Sequence, residues 1–185
     1  MSDDIKIFDQ TSSPGPLGFI GLGLPSVILG LQGLGIIEEP LSVISMAIFL
    51  GGFAQLFAGL QFWKKGDTFS AVAFTTFALF WFSFAWILIA PFGAAPLSGI
   101  SSAVYLILWG IYAVVMTAAA VKTGVKSVIA TFVFLDLTFI LTGLSAAFPA
   151  LPAGAGAVAA VILGICAMYT GLAMVLESVG LKVAY

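Results

Sequence analysis

The 185-residue chain contains no histidine, no arginine and a single cysteine, and only 8% of its residues are charged. Each shortage removes a class of chemistry. Without histidine, the usual proton shuttle and the commonest metal ligand are missing. Without arginine, there is no bidentate clamp for phosphate or carboxylate. One cysteine excludes a disulfide within the chain and any tetrathiolate zinc or iron–sulfur site; Cys166 sits in an apolar run and reads as a small buried hydrophobe. Six scattered lysines do not form the cationic patch that a nucleic-acid backbone requires. No metal, cofactor or nucleic-acid partner is expected.

What the chain has in quantity is apolar surface: 62% of residues are hydrophobic, and the mean hydropathy is +1.22. A soluble domain carries about 25% charged and roughly 45–50% apolar residues. Folding in water also leaves about a third of the unfolded-chain surface of a domain this size in solvent. The lipid bilayer is the matching solvent, and the expected fold class is an all-α membrane protein. A helix needs about 20 residues to cross the bilayer core. Six stretches reach that length, at about 16–37, 41–63, 69–91, 99–121, 127–148 and 153–176. Glu38-Glu39-Pro40, Lys64-Lys65-Gly66-Asp67, Gly93 with Pro96, Lys122-Thr123-Gly124, Pro149 and Glu177 separate or end them. The short connections predict one bundle of consecutive antiparallel neighbours over 16–177, between an N-terminal segment 1–15 and a tail 178–185. Residues 1–15 are polar and acidic, without the apolar core of a secretory signal.

Lysine placement sets an expected orientation. Lys6, Lys64, Lys65, Lys122, Lys126 and Lys182 all fall on one side of the six spans, while the opposite loops carry only Glu38 and Glu39. By the positive-inside rule, both termini are expected in the cytoplasm of a multi-pass cell-membrane protein.

Four features interrupt the apolar stock. Ser13-Pro14-Gly15-Pro16-Leu17-Gly18 opens the first span, and Gly21, Gly23, Pro25 and Ser26 follow. Composition favours reading the glycines as close helix packing; the alternative is that free amides at this N-terminus attract an anion. Gly51, Gln55 and Gly59 recur every four residues on the second span, so Gln55 either bonds a neighbouring helix or touches a polar path. Thr75 and Thr76 lie among aromatics on the third span, where hydroxyls either bond their own helix or face a solute. Asp136 is the one acid placed centrally in a span. An intramembrane carboxyl faces the bundle interior or water, as a proton-coupling group or as a bridge between helices.

Together these stretches resemble the acetate uptake transporter family, also called the succinate–acetate permeases. Its opening signature N-P-A-P-L-G-L is similar to Ser13-Pro14-Gly15-Pro16-Leu17-Gly18-Phe19. The resemblance continues through residues 51–59, 64–69 and 73–77, Phe80-Trp81, and 105–110. It implies a six-helix bundle that moves small monocarboxylates, chiefly acetate, with succinate as a second cargo. It also implies a homohexamer with a separate channel-like or proton-coupled path through each protomer. Carried over by motif, the path narrows at Leu22, Phe77 and Leu137. Ser13, Pro14, Pro16, Leu17, Gly18, Ser26, Gln55, Thr75 and Thr76 become candidates for holding the carboxylate, and Asp136 for coupling protons. The chain departs from the family where Ser13 replaces Asn, Leu22 an aromatic residue and Phe77 a tyrosine, so its constriction is the more apolar. The alternative is a channel for a small neutral solute such as urea or a short amide. An enzyme is not expected, for want of a catalytic dyad or paired acids.

Overall fold

Prolines set the start of the first helix. The computed structural model describes residues 11–152 and 154–184, so Lys6 and Ala153, the expected start of the sixth span, lie outside the described residues. Helix α1 spans Gly15–Gly33, with Pro14 at its N-cap and Pro16 in its first turn, where the missing N–H costs nothing. It closes before the expected limit of 37. Gly35 takes φ +72°, and the Ile36 N–H turns back to the Leu31 carbonyl at 3.0 Å, a glycine-dependent helix stop.

Helix α2 spans Leu41–Lys64 and widens to i→i+5 hydrogen bonding over Ala47–Ala54. Helix α3, Thr68–Ile89, is capped by Asp67, whose carboxylate accepts the Ser70 N–H at 3.0 Å. Helix α4, Gly99–Thr123, is capped by the Ser98 hydroxyl and ends at Gly124, φ +71°. Helices α5, Lys126–Ala147, and α6, Gly154–Ser178, complete the chain. All six are long and apolar enough to cross a membrane, and the described residues include no strand.

The helices do not pack simply in sequence. Extensive contacts run α4–α5, α5–α6, α6–α1, α1–α2 and α2–α3, whereas α3 and α4 approach only sparsely at the backbone. The expected row of consecutive neighbours therefore breaks at α3–α4, and the bundle closes through α1–α6. Ring size is the reason. Phe77 and Phe80 of α3 meet Tyr112 and Trp109 of α4 at centroid distances of 5.2 Å each, and these rings hold the two backbones apart. Elsewhere small residues let backbones touch. A Cβ on Gly23 would sit 2.8 Å from the Gly164 carbonyl oxygen, and one on Gly164 would sit 2.7 Å from that of Gly23. Gly51 and Gly59 accept the Trp81 ring and Thr75 of α3 in the same way. Between helices in lipid such close packing supplies much of the attraction, since lipid tails are as apolar as leucine.

The outer surface is as apolar as the inside. Phe49, Phe53 and Phe57 line one exposed stripe of α2, and Leu108, Ile111 and Val115 are exposed on α4. Helix α4 is the most peripheral, with 22% of its most apolar stretch buried against 39% or more in the other five. Lys65 donates to the Thr11 carbonyl at 3.0 Å, which ties the α2–α3 turn to the start of the chain. The antiparallel order puts the other described lysines at that same end.

Candidate functional site

A cavity of about 140 Å³ lies inside the bundle. Leu22, Ser26, Leu29 and Gly33 of α1 form one wall, and Phe77, Phe80, Trp81 and Phe84 of α3 the next. Leu135, Thr138, Phe139 and Thr142 of α5 face them, with Gly156, Ala157, Ala160 and Leu163 of α6 and Leu106 of α4 completing the lining. The lining begins near mid-bundle, at Leu22, Phe77, Leu135 and Leu163, and runs toward the end without lysines. Along α1, Leu22 to Gly33 corresponds to about 16 Å at 1.5 Å per residue.

On the lysine side of that level, aromatic rings fill the interior. Phe19 meets Phe74 edge-on at 5.2 Å, Phe62 stacks on Phe74 at 5.7 Å, and Phe69 meets Phe132 at 5.6 Å. Phe19, Phe74 and Phe132 are all buried. Leu22, Phe77 and Leu135 thus form the floor of the cavity, above an aromatic plug.

The few polar groups on the cavity wall have a shared bias. The Ser26 hydroxyl donates to the Leu22 carbonyl and the Thr138 hydroxyl to that of Phe134, each at 2.7 Å. Their hydrogens are thereby committed to their own helix, and what each oxygen has left is acceptor capacity. Two further polar groups belong to lining residues: the Thr142 hydroxyl, which donates to no carbonyl of its own helix, and the Trp81 indole N–H, which is buried without a hydrogen-bond partner.

The sequence-selected residues do not converge on this cavity. Leu22, Phe77 and Ser26 line it. Leu137 does not: it is exposed on the outside of α5, and Leu135 and Phe139 face inward instead. Two positions along a helix turn a side chain through about 200°, so the motif points to the right segment and the wrong face. Ser13, Pro14, Pro16, Leu17 and Gly18 gather at the lysine-bearing end. Ser13 is exposed and its hydroxyl accepts the Gly15 N–H at 3.3 Å. Leu17 is exposed, and Gly18 is a seat for the Phe74 ring, 2.5 Å from where its Cβ would be. Thr75 packs on Gly59 and donates to the Ala71 carbonyl at 2.7 Å. Thr76 is half-buried and turned toward the Tyr112 phenol of α4.

Gln55 is fully buried against Gly21 of α1, with neither amide atom hydrogen-bonded, and does not line the cavity. Asp136 also lies off it, between α5 and α4. One carboxylate oxygen accepts from Thr117 at 2.8 Å, and the other is buried without a partner.

The residues that sequence reading missed carry a pattern. Phe77, Phe80, Trp81 and Phe84 recur at i, i+3, i+4 and i+7, and so do Leu135, Thr138, Phe139 and Thr142. That is one face of a helix in each case, and extending it from Phe77 reaches Phe80, Trp81 and Phe84.

Among the described residues, six apolar spans that close around a small internal cavity define a multi-pass α-helical membrane protein. Residues 6–180 match the GPR1/FUN34/yaaH family, and the chain belongs to that family. A protein of Methanothermobacter thermautotrophicus is 31% identical over 184 residues, covering 94% of this chain and 90% of its own length. The succinate-acetate/proton symporter SatP of Escherichia coli K12 is 37% identical over 132 residues, covering 70% of this chain and 68% of its own. Among solved structures, that of the bacterial acetate channel SatP matches with a TM-score of 0.88 at 31% identity, covering 94% of this chain and 98% of its own.

Proposed function

We propose that this protein moves small carboxylic acids, chiefly the monocarboxylate acetate and, as a second cargo, the dicarboxylate succinate, across the cell membrane through a path in each protomer. The observation that carries the reading is the small apolar cavity floored by Leu22, Phe77 and Leu135. Its 140 Å³ is well below the ~300 Å³ at which drug-sized pockets begin, so the cargo is small. An unpaired carboxylate in such surroundings would lose tens of kcal/mol of solvation by an idealised Born estimate. The neutral acid avoids that cost: its O–H finds acceptors in Ser26 and Thr138, and the Thr142 hydroxyl on the same wall is a donor for its carbonyl. The proton then travels on the cargo, which accounts for proton coupling without a protein carboxyl in the path. Asp136 serves in this reading as a bridge between α4 and α5. The dewetted floor acts as the gate. The relatives' names, acetate channel and succinate-acetate/proton symporter, support the same cargo.

The lysine-bearing end, and both termini with it, belongs on the cytoplasmic side by the positive-inside rule. The protein works as a transporter rather than an enzyme, and assembles as a homohexamer as its family resemblance implies. Proteoliposomes test the cargo directly. Labelled acetate is expected to accumulate when the outside is acid and to leave when the gradient is collapsed. Uptake no greater than that of empty liposomes at every pH overturns the reading. A second reading, a channel for urea or a short amide, draws on the acceptor capacity of Ser26 and Thr138, which suits any neutral donor. Competition decides: propionate, and not urea, is expected to suppress acetate uptake.

A further inference from the structure

We infer that the groove between α5 and α6 at the lysine-bearing end of the bundle binds the phosphate headgroup of an anionic phospholipid. The groove has a volume of about 660 Å³ and shares no lining residue with the internal cavity. It lies on the outside of the protomer, where Ile165 and Tyr169 are exposed. Three observations point to an anion at its upper end. Lys126, exposed and cationic, stands at the first position of α5. Val125 precedes it at the N-cap and offers the first-turn N–H groups no side-chain acceptor, so the positive end of a 22-residue helix is uncapped there. Ser127, which lines the groove, is 9% exposed, and its buried hydroxyl has no hydrogen-bond partner. Among the described residues no carboxylate lines the groove.

Below this polar end the walls turn apolar, with Ala130 and Ile165 one turn further into the membrane. Tyr169 marks the boundary, and its phenol donates to the Ala184 carbonyl of the C-terminal tail, which closes the outer rim. Charge above, an aromatic hydroxyl at the boundary and an apolar track below match a lipid rather than a soluble anion. Basic pockets between helices on the cytoplasmic side are a known form of anionic-lipid site.

The test uses the full chain in phosphatidylcholine vesicles carrying a photoactivatable phosphatidylglycerol, with labelled peptides mapped by mass spectrometry. Label is expected on 126–130 and 165–169, to be competed by unlabelled phosphatidylglycerol and to resist extra phosphatidylcholine. Lys126→Gln is expected to lower it about fivefold, and Lys126→Arg to retain it. Val125→Asp caps α5 and repels phosphate, so it is expected to lower labelling while raising thermal stability, which separates lost binding from lost folding. Lys122→Gln, at the same end but outside the groove, is expected to change little. Equal labelling in Lys126→Gln, or competition by phosphatidylcholine, overturns the proposal. Competition by inorganic phosphate as effective as by phosphatidylglycerol makes this a soluble-anion site and overturns the lipid assignment. Protomer-to-protomer crosslinks from the same segments show that a second copy covers the groove, and overturn it too. Acetate uptake is measured separately: its loss bears on the transport path, and the lipid site stands or falls on labelling alone.

Discussion

At the level of Leu22 the bundle changes from a filled interior to a hollow one. Toward the lysine-bearing end, Phe19, Phe62 and Phe74 interlock, Phe69 meets Phe132, and even Gly18 has its missing Cβ occupied by the Phe74 ring. Toward the other end, equally apolar side chains from α1, α3, α5 and α6 stand apart around the cavity. Both halves use leucine, phenylalanine and glycine, so composition does not distinguish them. Rings from facing helices meet in both halves, as Phe80 meets Phe139 at 4.9 Å beside the cavity. What differs is that in the filled half they close the interior. In the hollow half Phe84 and Leu29 keep one side without partners, which forfeits dispersion energy and leaves room for a solute. The proposed gate lies where the two meet.

The contrast between the halves can be attacked from either side. The largest effect is expected from Phe74→Ala, which removes a ring packed on both faces and should destabilise the protein by about 3–5 kcal/mol. Phe84→Ala, at the cavity wall, should cost clearly less. Thermal unfolding of both variants in the same lipid measures the gap, and equal losses would erase the distinction. Next comes overpacking. Gly18→Leu drives a side chain into the Phe74 ring and is expected to cost about 1–3 kcal/mol. Ala160→Leu places added volume into the cavity, so it should leave the fold intact while stopping acetate uptake. A stable Ala160→Leu protein with normal flux would remove the cavity from the path.

Smaller still is Ser26→Ala. It removes a cavity acceptor and a hydroxyl bond to the Leu22 carbonyl, with about 0.5–1.5 kcal/mol at stake in stability. Acetate flux is expected to fall, with the KM rising more than kcat changes. Asp136→Asn should change least. An amide can still accept from Thr117, and a polar bond between helices in lipid is worth about 0.6 kcal/mol. Its acetate-uptake pH profile is expected to overlay that of the parent. A displaced profile would bring the α4–α5 interface back into proton coupling.

The six spans were legible because charge and proline punctuate long apolar runs, and lipid leaves a helix few other options. Leu22 and Phe77 were reached through a motif and Ser26 as a polar neighbour, and all three line the cavity. Leu137, also reached by motif, lies outside it. A helix in a soluble protein has a polar face that fixes which side is inside. Helix α5 meets lipid on one side and the bundle on the other, and both sides are apolar, so nothing in its sequence sets the rotation. The same ambiguity hid Phe80, Trp81 and Phe139 among seventeen phenylalanines and four tryptophans. Gln55 and Asp136 drew attention because polar groups are rare in lipid, and the structure places both in helix contacts outside the cavity.

Residue order alone dictates that this chain lives in a bilayer, crosses it with six helices and gathers its lysines at one end. Those properties depend on the length and polarity of local segments, and each segment carries them alone. The closure of α1 on α6 through Gly23 and Gly164, the aromatic spacing of α3 from α4, the floor at Leu22, Phe77 and Leu135, and the cavity above it emerge only when the helices assemble. They depend on how helices are rotated against one another. In a solvent as apolar as the core, the fit of rings against glycines decides that rotation, and not the contrast between polar and apolar residues.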